Sequence, residues 1–181
     1  MKAEMYRQGM SRNDVKRKLL NLLEDRGMCD VSGLRIILRP GTDDAARLNR
    51  KSIEKMISDA SIRASKNNGF PAGQHLAVVS DIIDLYEDSL KLVERQDRGG
   101  QPDVFIHRYG TPLHFNGAIA FITVKESTKY GKKVHDVELL EIGKLGGKLA
   151  GERITSPDRP SAPSFHIDNI RKLQSEVNSF D

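Results

Sequence analysis

The chain has 181 residues, 38% hydrophobic and 30% charged, which fits one soluble domain with a modest core and room for an arm or a tail. Lys and Arg number 29 against 25 Asp and Glu, a mildly basic balance compatible with a nucleic-acid partner without requiring one. The longest apolar runs, "LRIIL" and "AIAFITV", are far too short to cross a bilayer, and no secretory-type apolar segment opens the chain, so a cytoplasmic protein with no membrane contact is expected.

After a polar opening, "SRNDVKRKLLNLLEDRG" carries a capping pattern, Ser11 with Asp14 three residues on. Its apolar stripe of Val15, Leu19, Leu22 and Leu23 predicts a helix ended by Gly27. Cys29 is the single cysteine. It allows no internal disulfide, argues with five scattered histidines against structural zinc, and reads as a small apolar group; no metal or cofactor is expected. "LRIILRPG" reads as a strand closed by a Pro-Gly turn. "NRKSIEKMISDASIRASKNNG" reads as helical, with Ile53, Met56, Ile57, Ala60 and Ala64 at helical spacing.

In "AGQHLAVVSDIIDLYEDSLKLVER", Leu76, Val79, Ile83, Tyr86, Leu90 and Val93 recur in steps of three and four, which predicts one core-facing amphipathic helix. Strands are predicted at Val104–Tyr109, Ala118–Glu126 and Val134–Ile142. Asn116-Gly117 is the preferred two-residue hairpin turn, and "KYGKK" is a basic one. The Gly-rich "GKLGGKLAG" lacks phosphate-loop spacing, and "TSPDRPSAP" is a Pro-rich linker. Ile167, Ile170, Leu173 and Val177 line one side of a closing helix.

Helices followed by an antiparallel meander predict an α+β fold, with N-terminal helices on one face of a small antiparallel sheet. Three segments are expected: an arm over 1–42, a core over 43–150, and a linker with its helix over 151–181.

The hairpin turn predicts Phe115 opposite Ala118, His114 opposite Ile119 and Leu113 opposite Ala120. Alternation then sends Ala118, Ala120, Ile122 and Val124 to the core. Ile119, Phe121, Thr123 and Lys125 go to the other face with His114, and either His107 or Arg108 joins them. A face of cations, imidazole and an aromatic ring suits RNA, since cations offset phosphate charge and rings stack on bases. It also suits phosphodiester cleavage, which needs a base for the 2′-hydroxyl, an acid for the leaving oxygen and cations for the phosphorane. The bland reading of the same pattern is a solvated sheet face.

"SIEKMISDASIRASKNNGF", the histidine of "GQHLAVVSDIIDLYEDS", "IHRYGTPLHFNGAIAFITVKES" and "GKKVHDVELLEI" follow one another in a telling order. In that order the chain resembles phage- and mobile-element-borne domains of the barnase/EndoU/colicin/RelE-like nuclease superfamily, of the type associated with polyvalent proteins. The likeness covers about residues 50 to 145 and the closing helix. The resemblance implies a barnase- or RelE-like α+β fold and metal-independent RNA cleavage through a 2′,3′-cyclic phosphate, as a toxin or in phage–host conflict. Its partners would be RNA and an immunity or antitoxin protein.

Carried over residue by residue, the resemblance places catalytic positions at His75, His107, Arg108, Thr123 and Lys125. It places further polar positions at His135, Asp136 and Glu138; His135 stands where tyrosine is more usual. His107 with His75 would move protons, and Arg108 with Lys125 would meet phosphate. Lys51, Lys55, Tyr109, Phe121, Lys129 and Lys132 are the expected nucleic-acid contacts. His114 and His166 are given surface or turn roles. The competing expectations are a noncatalytic nucleic-acid-binding or adaptor module that kept the fold, and a structural protein whose sheet binds another chain.

Overall fold

A computed structural model of the chain describes residues 2–25, 35–38, 42, 45–97, 103–129, 132–144, 164–165 and 167–178. Cys29, the Gly-rich stretch after Lys144, the Pro-rich linker and His166 lie outside them, as do the side chains of Lys129 and Lys132.

Capping side chains set the starts of three of the helices. Helix α1 is Lys2–Gln8 and α2 is Arg12–Asp25, whose predicted cap forms with the Asp14 N–H donating to Ser11 Oγ at 3.2 Å. The stretch read as one helix after Asn49 is two, α3 (Arg50–Met56) and α4 (Asp59–Asn67). Asn49 caps the first by accepting from the Ser52 N–H, and Ser58 caps the second by accepting from the Ser61 N–H. A second helix start inside one apolar period is why the two read as continuous.

The amphipathic stretch from Ala72 resolves into helices α5 (Ala72–Val79) and α6 (Ile82–Glu87) and then a strand. The strands are β1 (Arg35–Leu38), β2 (Ala45–Leu48), β3 (Leu90–Gln96), β4 (Val104–Pro112), β5 (Ala118–Lys129), β6 (Lys132–Lys144) and β7 (Ser164–Phe165), and α7 is Ile167–Asn178. Leu90 and Val93 therefore do not extend the helix. They belong to β3, where pairing with β4 satisfies the backbone and overrides the local 3.6-residue stripe.

The strands form one sheet in the order β1-β2-β6-β5-β4-β3-β7. The fold is α+β, with the N-terminal helices on one sheet face and α7 on the other. Neighbouring strands are antiparallel apart from β2 and β6, which run parallel.

On the helix face, Tyr109, Ala118, Ala120, Ile122, Val124, Val137, Leu140 and Ile142 share one apolar cluster with residues of α1 to α6. On the other face, Leu92, Val93, Ile119 and Phe121 pack with Leu173 of α7. The face expected to stand open is thus partly roofed.

Beyond the short pairing with β2, side chains of α4 satisfy backbone groups of β6. Ser61 Oγ donates to the Leu140 carbonyl at 2.6 Å, the Ile142 N–H donates to Ser65 Oγ at 2.8 Å, and Asn68 donates to the Ile142 carbonyl at 2.8 Å. Left unpaired in the core, each such group would cost about 1–3 kcal/mol. The serines of "SDASIRAS" thus dock a helix where another strand would otherwise sit.

The β4–β5 hairpin corrects one expectation. Asn116 and Gly117 form the turn, both at positive φ (51° and 61°), but His114 also adopts a left-handed φ of 56°. The pairing is Thr111 with Ala120 and Pro112 with Ile119, two residues away from the predicted register. A shift of two preserves the alternation, so every residue of β5 keeps its predicted face.

Candidate acid–base site at the open end of the sheet

Register decides which way the polar residues of β4 point. Tyr109 lies opposite Ile122 and His107 opposite Val124, so both face the helix side. Arg108 lies opposite Thr123 and faces α7's side. His107 and Arg108 therefore lie on opposite faces of one sheet, and the expected catalytic group is not assembled.

Each member of that group has another place. His75 is fully buried among α3, α4, α5 and β6. Its Nε2–H donates to the Met56 carbonyl at 2.8 Å, and its Nδ1 accepts from Ser65 Oγ at 2.8 Å. Burial holds this imidazole below its ordinary 6.5, hence neutral, as one donor and one acceptor require. Arg108 pairs with Glu141 and sits 5.0 Å from the centroid of the Phe121 ring. Thr123 and Lys125 share that second face.

The expected base-stacking rings are also taken. Tyr109 is buried edge-on against Tyr86, with centroids 5.2 Å apart, and Phe121 is buried with α7 packed against its cluster, so no base reaches either. Lys55 pairs with Glu138, whereas Lys51 is exposed on α3.

What gathers around His107 is a different set. The helix face of β3 to β6 opens into a hollow of about 270 Å³ lined by Lys91, Glu94, Phe105, His107, Glu126, Lys133 and His135. Cross-strand pairing builds it: Glu94 lies opposite His107, Phe105 opposite Glu126, and Glu126 opposite His135.

Glu126 is the hub of this set. Its Oε2 accepts from His107 Nε2–H at 2.9 Å and lies 3.3 Å from His135 Nε2, while Oε1 lies 3.1 Å from Lys133 Nζ. Glu94 Oε2 lies 3.3 Å from His107 Nδ1 and accepts from Lys91 Nζ at 2.7 Å. The two imidazole rings stack, 5.6 Å apart and 13° from parallel.

Depth separates the members. His107 and Glu126 are buried, with side chains 3% and 9% exposed, whereas Glu94 is 38% and Lys133 73% exposed. Among the described residues, neither His107 Nδ1 nor His135 Nδ1 has a hydrogen-bond partner. The described residues contain no group of three or more His, Cys, Asp or Glu placed to hold a metal ion; here the histidine Nε2 atoms point at a carboxylate oxygen instead.

The electrostatics follow from these contacts. Burial pushes the His107 imidazole below 6.5, Lys91 pushes it further, and Glu126 and Glu94 oppose them. Burial pushes the Glu126 carboxyl up, but hydrogen bonds from Lys133 and His107 and the nearby His135 outweigh it, so it sits below its ordinary 4.5. Glu94 is likewise held low, chiefly by Lys91. At neutral pH the site holds two carboxylates and a neutral His107, able to accept a proton at an outer oxygen and to steady a charge on His135.

A pH effect on stability follows. His75 and His107 bind protons more weakly folded than unfolded, so their contribution is fully present above 6.5 and falls as pH drops below it toward their depressed folded values. Glu94 and Glu126 act in the same direction, but only below about 4.5. Denaturant unfolding at pH 7.5 and pH 5.5 should show lower stability at the acid value, with the difference shrinking in His75→Gln and His107→Gln variants.

Glu94 and Glu126 were missed in the sequence for identifiable reasons. Glu94 lies inside an apparent helical stripe, and Glu126 closes a predicted strand outside the positions that the resemblance marks. Alternation was the available signal for Glu126, since it follows Ala118, Ala120, Ile122 and Val124 on the same face.

The sequence model of the family described as large polyvalent protein-associated domain 3 matches residues 10–134, more than two-thirds of the chain. The chain belongs to that family. No curated protein and no solved structure shows a significant match. The family segment runs from the start of α2 to the first residues of β6, so the polyvalent protein-associated domain carries Lys91, Glu94, Phe105, His107, Glu126 and Lys133. His135 falls one residue beyond it; α1, β7 and α7 also lie outside. Among the described residues no helix is long and apolar enough to cross a membrane.

Proposed function

We propose that this domain of a large polyvalent protein is a ribonuclease that needs no metal and works in the hollow between β3 and β6. The observation that carries the reading is the Glu94–His107–Glu126–His135 chain, two carboxylates interleaved with two imidazoles and flanked by Lys91 and Lys133. Phosphodiester cleavage without a metal needs these roles filled: a base, an acid, and cations for the phosphorane.

In this reading Glu94, the outer carboxylate, takes the proton from the ribose 2′-hydroxyl. The 2′-oxygen bonds to phosphorus, and the bond to the 5′-oxygen breaks. His135, in its protonated form with Glu126 behind it, delivers a proton to that leaving oxygen. The products are a 2′,3′-cyclic phosphate and a free 5′-hydroxyl. Lys133 and Lys91 neutralise the phosphorane oxygens, and Phe105 offers a ring for one base. His107, buried between Glu94 and Glu126, holds the Glu126 carboxylate through its Nε2–H and does not touch RNA.

Incubation of the purified protein with single-stranded RNA in EDTA tests this. Cyclic-phosphate ends are the expected product. RNA that is bound but left intact from pH 5 to 8 would leave a noncatalytic binding module, and RNA that is neither bound nor cut would remove nucleic acid from the account.

A further inference from the structure

Strand β3 breaks a local rule at the hollow. Lys91 and Glu94 are three residues apart, so in a regular strand they would face opposite sides. Both line the same hollow. The register explains it: Lys91 lies opposite Tyr109 but Val93 lies opposite Arg108, leaving Leu92 as an extra residue in a β-bulge. Leu92 and Val93 then both enter the apolar cluster beneath α7, and the side chains on either end of the bulge turn to His107's side. Gly110 accommodates this crowding: a Cβ there would fall 2.7 Å from Leu92 Cδ1 and 2.8 Å from Leu173 Cδ2.

A bulge disrupts the ladder locally and leaves backbone groups in want of partners. Here Asn169 of α7 donates its Nδ2–H to the Lys91 carbonyl at 2.8 Å. Just past the bulge, β7 pairs with β3, Phe165 opposite Val93 and Ser164 opposite Glu94. The same C-terminal segment thus grips the bulge at both ends.

We propose that the β7–α7 segment, which lies beyond the family match, is a positioning element of the hollow. Asn169 and β7 hold the β3 bulge that sets Lys91 and Glu94 against His107, so the family segment alone is an incomplete site. Asn169 is a positioning residue: it acts through the Lys91 backbone. The inference rests on the hollow's being the working site, as proposed above, but not on the reaction assigned to it.

The test reads His107 and needs no RNA. Its imidazole titration is followed by NMR in the full chain, in Asn169→Asp, and in Lys172→Ala on the exposed side of α7. The groups facing this ring are Lys91 and Glu94 from β3, Glu126 from β5, and Lys133 and His135 from β6. Asn169→Asp replaces the donor with an acceptor aimed at the Lys91 carbonyl. As the bulge relaxes, water enters and the Lys91 ammonium withdraws. Both changes raise the His107 pKa toward 6.5, outweighing the smaller loss of Glu94's opposing charge.

The expected result is an upward shift in Asn169→Asp and none in Lys172→Ala. An unchanged His107 titration in folded Asn169→Asp overturns the proposal. If that variant fails to fold, amide hydrogen exchange in the unaltered chain decides. Protection of Lys91 to Glu94 as strong as that of β4 and β5 supports the clamp; rapid exchange there beside protected β4 and β5 refutes it. Absence of RNA cleavage in the parent would end the proposed reaction and leave this readout intact.

Discussion

Glu94→Gln is expected to slow RNA cleavage about 10²–10⁴-fold, the usual contribution of a positioned general base. Glutamine keeps the shape of the side chain and its contact with Lys91 but cannot take a proton. Glu94 is 38% exposed and outside the core, so the unfolding midpoint should hardly move. His135→Gln should produce a similar fall. The double variant should be little worse than either single one, because groups acting in one step are not additive.

The pH profile adds a second check. In the proposed reaction the ascending limb would belong to the outer carboxylate, which Lys91 holds below its ordinary range, so in Glu94→Gln that limb should vanish. A Glu94→Gln protein that cleaves at the parental rate would exclude this carboxylate as the base. The assignment of the hollow would then rest on His135 alone.

His75→Leu is expected to lose about 3 kcal/mol of stability without slowing the folded protein. The cost comes from two hydrogen bonds lost in the core, the one that the Met56 carbonyl accepts and the one that the Ser65 O–H donates, at about 1–3 kcal/mol each. Ser65 also accepts from the Ile142 N–H, so its loosening reaches β6. For a chain of this size the midpoint should fall by roughly 6–12 °C. Cleavage per folded molecule should stay at the parental level, because His75 lies under the helix layer and not in the hollow. The opposite pattern, an unchanged midpoint with a large loss of rate, would restore the role that the family resemblance implied for His75.

The two histidines show where the sequence was legible. His107 stands in a strand beside an arginine, where packing gains little from either, and it does belong to the polar cluster. His75 has the same side chain, yet the groups that use it, the Met56 carbonyl and the Ser65 hydroxyl, sit on two other helices. Alternation already separates Arg108 from His107, since consecutive strand residues point to opposite faces; only the resemblance joins them in one catalytic group. Lys125 and Thr123 fall with Arg108 by the same alternation.

The sequence by itself determined the α+β class, the N-terminal cap of α2, the position of the Asn116-Gly117 turn, and the two faces of β5. These depend on short-range chemistry: capping hydroxyls, positive-φ residues in turns, and a side-chain period of two. Only the tertiary structure decided that "SLKLVER" is a strand, that Leu92 bulges, that α7 roofs the second face, and that Glu94, His107, Glu126 and His135 meet. Those outcomes rest on hydrogen bonds and packing between segments distant in sequence, where a local helical stripe and a strand pattern look alike until a neighbouring strand supplies the partner.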